Sequence, residues 1–446
     1  MNDRFTDRLL QRLSELEQSD RPSRYLVAFS GGLDSTVLLH ALWRGRARHA
    51  TPIVAVHVNH ELQADARRWE AHCRRFAAHL GVEFVRQTLD LPPGDPRGTE
   101  GAARELRYRA ISELVGAGDH VLTAHHEEDQ AETLLLNLMR GSGVAGLAGI
   151  GARRALGRGL LLRPLLDVSR AEIERYAALH GLEWCDDPSN ADLRFDRNFL
   201  RREILPALRR RWPAASAGLR KSAELLGEAG QLQADLAMID LVRAGGDPAR
   251  LDGAEFGRLS AARQRNLLKL AIRRLDLPPA PATRLAQVVR ELVPAPADAR
   301  PLVRWPGAEV RRYRDRLYIL HERDYAACPA APVLPADGRE VALGPFLGRL
   351  VLERRTAVGI DPALVGDGLR IGFRKGGEKL RPLGRAHTHP LRKLCQEVGI
   401  VPWMREFLPL LYAGDRLVAV ADLWIAQDAQ STHGYAVRWL GKPALR

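Results

Sequence analysis

Residues 30–35 read Ser-Gly-Gly-Leu-Asp-Ser, which places glycines, hydroxyls and one acid within six positions. Gly31 and Gly32 let the backbone approach an oxyanion without a Cβ in the way. Asp34 could hold a magnesium ion against phosphates, beside N–H groups at a helix start. The Walker pattern is absent because the loop has no lysine. The stretch therefore predicts a phosphate-binding turn that is not a Walker loop. Its residues are Ser30, Gly31, Gly32, Leu33, Asp34 and Ser35.

A second group of chemically capable residues follows His125. On a helix, His125, Asp129 and Glu132 share one face because they stand at i, i+4 and i+7. Two carboxylates and an imidazole at a helix start suit an ammonium substrate, a metal or proton transfer. The alternative is a surface helix whose acids complement its dipole. The opposite face is predicted to be buried and consists of Ala131, Leu134, Leu135 and Leu138.

Two weaker candidates lie between these groups. Arg104 could reach a phosphate or a carboxylate, or pair with Glu100 four positions earlier. Asn59 and His60 end an apolar run and could contact a base, although either residue alone is weak support.

The elements that position these residues alternate between strand and helix. Apolar runs at residues 25–29, 53–58, 82–89 and 120–124 predict strands, and amphipathic stretches between them predict helices. This alternation is typical of an α/β fold with a doubly wound parallel sheet. Ligands of such sheets bind at the carboxyl ends of the strands, where Ser30, His60 and His125 all fall. A glycine-rich segment at residues 141–151 is predicted to be a mobile loop, either a lid or a segment that contacts the substrate.

The remaining chain predicts further domains, since 446 residues exceed one core. We expect a catalytic domain at residues 1–213 and a mainly helical domain at 214–325. A proline-rich linker at 326–340 precedes a small α+β domain at 341–446. In this tail, cations interleaved with Phe373 and Trp403 suit an RNA backbone and exposed bases, although a solvated basic face is the alternative.

Composition sets broad limits on partners and compartment. The chain carries 67 Lys and Arg against 54 Asp and Glu, a formal net charge of +13. Nucleic acid is a natural partner, although an arginine-rich proteome explains the charge equally well. Cys73, Cys185, Cys328 and Cys395 form no C-x-x-C pair, which predicts reduced thiols and no zinc or iron–sulfur site. The absence of signal-peptide and membrane-spanning patterns predicts a cytoplasmic protein.

Several of these motifs together resemble one family. Residues 30–35 are similar to the SGGxDS loop of N-type ATP pyrophosphatases, which cleave ATP between the α and β phosphates. With Asn59-His60, residues 100–108 and residues 123–133, the loop resembles the tRNA(Ile)-lysidine synthetase family. Arg197-Asn198 continues the resemblance within the first domain, and residues 373–382 and 402–410 extend it into the tail. One departure is Glu128, where the family usually has Asp.

The resemblance implies a two-step ligation with ATP and Mg²⁺ as cofactors. ATP would adenylate C2 of the wobble cytidine of tRNA(Ile) with a CAU anticodon, and free L-lysine would displace AMP. Asp129 and Glu132 would hold the lysine, while His125 and Arg104 would stabilise charge around the adenylate. Asp34 would position magnesium and pyrophosphate. The candidate tRNA contacts are Asn59, His60, Arg197, Asn198, Arg374, Lys375, Lys379, Arg381, Lys393 and Arg405.

Other function classes stay open from the sequence. A tRNA-thiolating pyrophosphatase would need a nucleophilic or cluster-bound cysteine near the loop, and none of the four is expected there. An amidating ligase would leave the basic tail unexplained. An RNA-binding protein that uses ATP only as a switch would leave the face of residues 125–132 unexplained. The oligomeric state is not predicted, and a homodimer is compatible with the sequence.

Overall fold

A computed structural model describes residues 4–18, 21–59, 66–89, 98–186, 192–296, 299, 301–322, 332–344 and 346–445. The side chains of residue 66 and residues 98–104 lie outside this description. The chain divides into two compact units, Met1–Gln233 and Ala234–Arg446. The finer division at residues 213, 325 and 340 stays a prediction. No helix in the described ranges is long and apolar enough to cross a membrane.

The first unit is built on a six-stranded sheet of order β3-β2-β1-β4-β6-β5. All neighbours in it pair in parallel except β5, which runs antiparallel to β6. Between β1 and β4 the direction in which strands are added reverses, and ligands of such sheets bind at this switch point. The strands are β1 (Arg24–Ala28), β2 (Ile53–Asn59), β3 (Glu83–Thr88), β4 (Asp119–Leu122), β5 (Arg153–Leu156) and β6 (Gly159–Leu162).

Helices cover both faces of this sheet because neighbouring strand residues point to opposite sides. Val27 packs with Val37 and Ile173 on one side, whereas Leu26 packs with Ile111 on the other. The predicted doubly wound α/β fold is thereby confirmed. The helices of this unit are α1 (Arg4–Glu17), α2 (Leu33–Arg44), α3 (Arg46–His49), α4 (Ala66–Leu80), α5 (Gly98–Leu114), α6 (Glu127–Met139), α7 (Val144–Leu147), α8 (Arg170–Leu179), α9 (Asp196–Phe199) and α10 (Leu205–Arg211), with a π-helical turn (Leu200–Ile204) between α9 and α10. The next helix, α11 (Ala215–Arg243), begins in this unit and ends in the second.

Some local expectations for the first unit were wrong. The β5–β6 hairpin was not expected, because its strands are only four residues long and rich in arginine and leucine. On α6, Leu138 is exposed and Leu135 is only half-buried, so the buried face is narrower than predicted. The glycine-rich segment also contains α7, and Gln130 holds its end through two 2.7 Å hydrogen bonds to the backbone of Ile150. Its mobility stays a prediction.

The second unit begins with a four-stranded antiparallel sheet covered by helices. Its core includes Phe256, Leu267 and Val310, all completely buried. The sheet order is β7-β10-β9-β8. The elements are β7 (Arg250–Asp252), α12 (Gly253–Arg258), α13 (Ala261–Arg274), α14 (Ala282–Gln287), a second π-helical turn (Val288–Leu292), β8 (Leu302–Trp305), β9 (Ala308–Tyr313) and β10 (Arg316–His321).

The rest of the second unit consists mainly of short strands around a separate apolar cluster. Leu369, Leu410 and Val418 are among its completely buried members. Two five-stranded sheets and one two-stranded sheet form it. The elements are β11 (Val333–Pro335), β12 (Val341–Ala342), β13 (Arg349–Arg354), β14 (Gly359–Ile360), α15 (Pro362–Val365), β15 (Gly368–Gly372), β16 (Lys379–Leu380), β17 (His389–Pro390), α16 (Leu391–Glu397), β18 (Leu410–Ala413), β19 (Arg416–Val420), β20 (Trp424–Ile425), β21 (Gln430–Ser431) and β22 (Tyr435–Leu440).

Candidate active site

The predicted ATP loop joins β1 to the start of α2. The Gly32 N–H donates to Ser30 Oγ at 3.3 Å, and the Ser30 and Ser35 hydroxyl oxygens lie 3.0 Å apart. The hydroxyls of Ser35 and Thr36 both donate to the Gly32 carbonyl, at 3.0 and 2.9 Å. These bonds shape the turn so that α2 starts directly behind it, where unpaired N–H groups favour an anion. Leu33 is buried and anchors the turn.

Gly31 is required by both conformation and space. Its φ of +84° lies in the left-handed region, and a Cβ there would stand 2.6 Å from the Cys73 sulfur. The Cys185 N–H donates to the Gly31 carbonyl at 2.9 Å. Two cysteines therefore adjoin the loop, which corrects the expectation that none would. Burial raises the pKa of Cys73 to about 12 and also raises that of Cys185, so neither thiol is activated as a nucleophile.

The acidic helix α6 begins directly after His126. Asp129 Oδ2 accepts the backbone N–H of His126 at 2.9 Å, and the backbone N–H of Glu128 lies 3.3 Å from the Nδ1 atom of the His126 ring. The first bond satisfies a backbone donor at the helix start and turns Asp129 inward. His125, one residue earlier, is half-buried and lies within hydrogen-bonding distance of Thr123, with 2.9 Å between Nδ1 and Oγ1.

His126 joins the ATP loop to α6. Its Nε2 atom lies 3.7 Å from a carboxylate oxygen of Asp34 and 3.7 Å from one of Asp129. Burial alone would lower the pKa of His126, but Asp129, Glu128 and Asp34 outweigh it and raise this pKa to about 9. The ring is therefore an imidazolium at neutral pH. His126 belongs to the predicted motif, but from the sequence a role was assigned only to His125.

The carboxylates of this cluster differ in their proton affinity. Burial raises the pKa of Asp34, against the charges of His126 and Arg170, and Arg170 Nη1 lies 2.7 Å from Asp34 Oδ1. Burial would also raise the pKa of Asp129, but His126, His125 and Arg201 lower it to about 2. Asp129 is therefore a fixed negative charge next to the ATP loop.

Glu132 is completely buried and is paired with two arginines. Arg201 donates Nε to Oε1 at 2.7 Å and Nη2 to Oε2 at 3.0 Å. Arg197 Nε lies 3.2 Å from Glu132 Oε2, and its Nη2 donates to Thr133 at 3.0 Å. Burial raises the pKa of Glu132 against the opposing charge of Arg201. The carboxylate lies deep in the unit and is neutralised by its own chain.

Glu128, the departure from the family pattern, connects three helices. Its Oε2 atom accepts a hydrogen bond from the backbone N–H of Arg170, at the start of α8, at 2.9 Å. The same oxygen lies 3.0 Å from His126 Nδ1. Its Oε1 accepts Nη2 of Arg209, on α10, at 2.9 Å. Burial would raise the pKa of Glu128, but His126 and these donors lower it. Glu128 therefore serves to hold His126 and α8 in place.

The predicted RNA contacts of the first unit have other partners. Asn59 is buried and donates Nδ2 to Glu70 at 3.1 Å, and Asn198 donates to the Asp192 carbonyl at 2.9 Å. Arg197 lies on Glu132, as described above. All three side chains therefore have partners within the chain, and their contact with tRNA stays a prediction. His60 and the side chain of Arg104 fall outside the described residues.

The tail candidates divide into exposed and buried cations. Arg405 is 4% exposed and donates to the Ile400 carbonyl and the Tyr313 hydroxyl, at 2.9 and 2.8 Å. Its contact with tRNA stays a prediction. Arg374 is largely buried and lies 3.4 Å from the Glu378 carboxylate. Phe373 is buried and Trp403 packs against Tyr318, so neither ring is a free stacking surface. The exposed candidates are Lys375, Lys379, Arg381 and Lys393.

The side chains near the PP-loop decide how the expected Mg²⁺ could be held. Among the described residues, no group of three His, Cys, Asp or Glu side chains is arranged to hold a metal alone. Mg²⁺ beside a nucleotide usually takes one or two carboxylates and completes its shell with phosphate oxygens and water. The half-buried Asp34, at the start of α2, fits that mode of binding.

Comparison with known proteins places this geometry in one family. Three family models match: a PP-loop domain at residues 3–208, a TilS substrate binding domain at 251–318 and a TilS substrate C-terminal domain at 369–439. A tRNA(Ile)-lysidine synthase of Alkalilimnicola ehrlichii is 42% identical over 414 residues, covering 93% of this chain and 92% of the relative. The chain belongs to the tRNA(Ile)-lysidine synthase family.

Further members of the tRNA(Ile)-lysidine synthase family match at similar length. The relative from Pseudomonas aeruginosa is 41% identical over 450 residues, covering 97% of this chain and 96% of the relative. The relative from Coxiella burnetii is 38% identical over 430 residues, covering 95% and 94%. The resemblance expected from the motifs is thereby confirmed. The PP-loop domain contains the loop at residues 30–35 and the acidic helix, and the other two domains lie in the second unit.

Proposed function

We propose that this chain ligates free lysine to C2 of the wobble cytidine of tRNA(Ile) with a CAU anticodon, forming lysidine, AMP and pyrophosphate. One observation carries the proposal: Asp34 of the PP-loop and Asp129 of α6 both lie 3.7 Å from the same imidazole nitrogen of His126. A phosphate-binding turn and an amine-binding carboxylate therefore share one cleft at the switch point of the sheet. The names of the relatives support this substrate and this reaction.

In the first step the C2 oxygen of cytidine attacks the α phosphate of ATP. The bond between the α and β phosphates breaks, pyrophosphate leaves, and the oxygen becomes part of an AMP leaving group. The N–H groups and hydroxyls at residues 30–35 bind phosphate oxygens, and the cations of Arg170 and His126 offset the negative charge. Mg²⁺, held by Asp34 and phosphate oxygens, would supply further charge neutralisation there.

In the second step the lysine side-chain amine attacks C2, the C–O bond breaks, and AMP leaves. The ammonium group of free lysine ordinarily has a pKa near ~10.4 and must lose a proton before it attacks. Asp129, with its pKa lowered to about 2, binds the ammonium but accepts a proton poorly. Burial raises the pKa of Glu132, which makes it the better proton acceptor of the pair.

The second unit binds the tRNA in this account. Its matches to the substrate binding and C-terminal domains support the role. Lys375, Lys379, Arg381 and Lys393 are exposed and provide cations for the phosphate backbone. A thiolation reaction is disfavoured because burial raises the pKa values of both cysteines at the PP-loop, so neither is a reactive thiolate.

Transfer of labelled lysine into RNA tests the function directly. The purified chain is incubated with ATP, Mg²⁺, labelled lysine and tRNA(Ile) with a CAU anticodon. We expect label to enter the RNA with release of one AMP and one pyrophosphate per lysine. A tRNA with uridine at the wobble position is the matched control and should remain unlabelled. Equal labelling of both RNAs, or labelling without ATP, would contradict the proposal.

A further inference from the structure

Arg201 makes the same contacts that the substrate ammonium is proposed to make. Its guanidinium donates two hydrogen bonds to Glu132, and its Nη2 also lies 3.3 Å from Asp129 Oδ1. One cation of the chain therefore bridges both carboxylates assigned to the lysine amine. Guanidinium and ammonium carry the same charge and donate the same kind of hydrogen bond to a carboxylate.

We infer that Arg201 occupies the lysine-amine site of the substrate-free protein and must leave Asp129 and Glu132 before lysine binds. The inference rests on the proposed function and adds a residue that governs access to the amino acid. Asp129 and Glu132 cannot bind both cations in the same place, so the arginine and the substrate compete. The apparent dissociation constant for lysine then equals the intrinsic constant divided by the fraction of molecules in which Arg201 has left the site.

The local charges allow this exchange. When Arg201 leaves, Glu132 keeps Arg197 at 3.2 Å and does not become an unpaired buried charge. Asp129 still accepts the hydrogen bond from the backbone N–H of His126 at 2.9 Å. The site therefore remains intact for an incoming ammonium group.

The backbone position of Arg201 also suits a moving side chain. It lies on the π-helical turn Leu200–Ile204, where an extra residue interrupts the regular helical ladder between α9 and α10. Such turns are rare and occur frequently at functional sites. The Arg201 side chain is 40% exposed although its partner Glu132 is completely buried, so part of this side chain already lies at the solvent.

The experiment compares lysine affinity in three proteins. Arg201→Met removes the cation while keeping an unbranched side chain of similar reach, and Arg202→Met changes the exposed neighbour on the same turn as a matched control. Lysine binding to the tRNA-free proteins is measured by calorimetry, and the lysine KM is measured in the labelling reaction. We expect Arg201→Met to bind lysine about tenfold more tightly and Arg202→Met to match the original chain.

Inhibition of the Arg201→Ala variant by added guanidinium chloride is a second test of the inference. At millimolar concentration the free ion should refill the vacated position and inhibit competitively against lysine, with a weaker effect on the original chain. Unchanged or weaker lysine binding in both folded Arg201 variants, or guanidinium inhibition that lysine does not relieve, would overturn the inference. The labelling reaction of the original chain tests the proposed function separately. If the original chain does not transfer lysine to the tRNA, the proposed function is wrong, whatever the Arg201 variants do.

Discussion

The Nε2 atom of His126 lies 3.7 Å from the Asp34 carboxylate, although the two residues follow different strands of the sheet. Asp34 follows β1 and His126 follows β4, and these strands are parallel neighbours on either side of the switch point. Their carboxyl ends therefore open at the same place. On this contact we base the proposal that nucleotide and amine chemistry take place at one site.

The charge of His126 predicts a pH-dependent stability. Its pKa is raised from 6.5 to about 9 in the folded chain, so the protonated ring stabilises the fold fully below about pH 6.5. This stabilisation is lost as pH rises through about 9 and amounts to at most about 3 kcal/mol. Thermal melting of the original chain and His126→Gln, measured from pH 6 to 10, checks it.

In that series the original chain should lose more stability than His126→Gln between pH 6.5 and 9. His79→Gln, on the outer helix α4, is the matched control and should follow the original chain. Parallel melting curves for the original chain and His126→Gln would show that the ring is already neutral at pH 7.

Alanine substitutions at Gly31 and Gly181 separate the cost of a positive φ from the cost of a steric clash. Gly31→Ala must accept a positive φ and a Cβ 2.6 Å from the Cys73 sulfur, whereas Gly181→Ala has a φ of +58° and open space. We expect Gly181→Ala to lose about 1 kcal/mol of stability and Gly31→Ala about 2–3 kcal/mol, because only the second adds a clash. Denaturant unfolding measures both.

Pyrophosphate release gives the functional readout for the same pair. Gly31→Ala should lose ATP-dependent pyrophosphate release even at temperatures where it is folded, and Gly181→Ala should keep it. Equal stability and equal activity of the two variants would mean that the close approach of Gly31 to Cys73 is not required.

Much of the first unit could be predicted because its signals are local. The strand, glycine turn and helix at residues 25–42 indicate the PP-loop, and parallel strand ends bring Ser30 and His125 to one edge. The role of His126 was missed because adjacent positions in a sequence do not reveal which ring turns inward. That choice depends on the hydrogen bond from the backbone N–H of His126 to Asp129 and on Glu128, which is itself oriented by α8 and α10.

In the tail, the burial of one arginine could not be predicted from the sequence. Arg405 was a candidate tRNA contact because it stands in a motif that resembles the family, yet its side chain is buried inside the second unit. Its partners are a carbonyl five residues away and the hydroxyl of Tyr313, 92 residues away. A contact of that separation leaves no periodic mark in the sequence, so burial of a single arginine could not be anticipated.

The exposed cations of the second unit predict a salt-dependent affinity for tRNA. Each phosphate contact contributes a slope of roughly −0.7 to −0.9 in a plot of log affinity against log salt concentration. Lys379→Gln and Lys393→Gln should each weaken binding and reduce the slope by about 1 or less. Filter binding across salt concentrations measures both quantities.

Lys442→Gln is the control for that series, because Lys442 already pairs with Asp422 at 2.6 Å. It should change neither the affinity nor the slope appreciably. If Lys379→Gln and Lys393→Gln behave like Lys442→Gln, the exposed tail cations are a solvated face and the tRNA binds elsewhere.

Separation of the two half-reactions tests the shared cleft most directly. The measurement follows α-labelled ATP into tRNA with the CAU anticodon, with lysine present, for Asp34→Asn, Asp129→Asn and the fully exposed control Asp415→Asn. The account predicts no labelled tRNA with Asp34→Asn, accumulation of adenylated tRNA with Asp129→Asn, and complete turnover with Asp415→Asn. Normal adenylation by Asp34→Asn, or normal lysine transfer by Asp129→Asn, would contradict it.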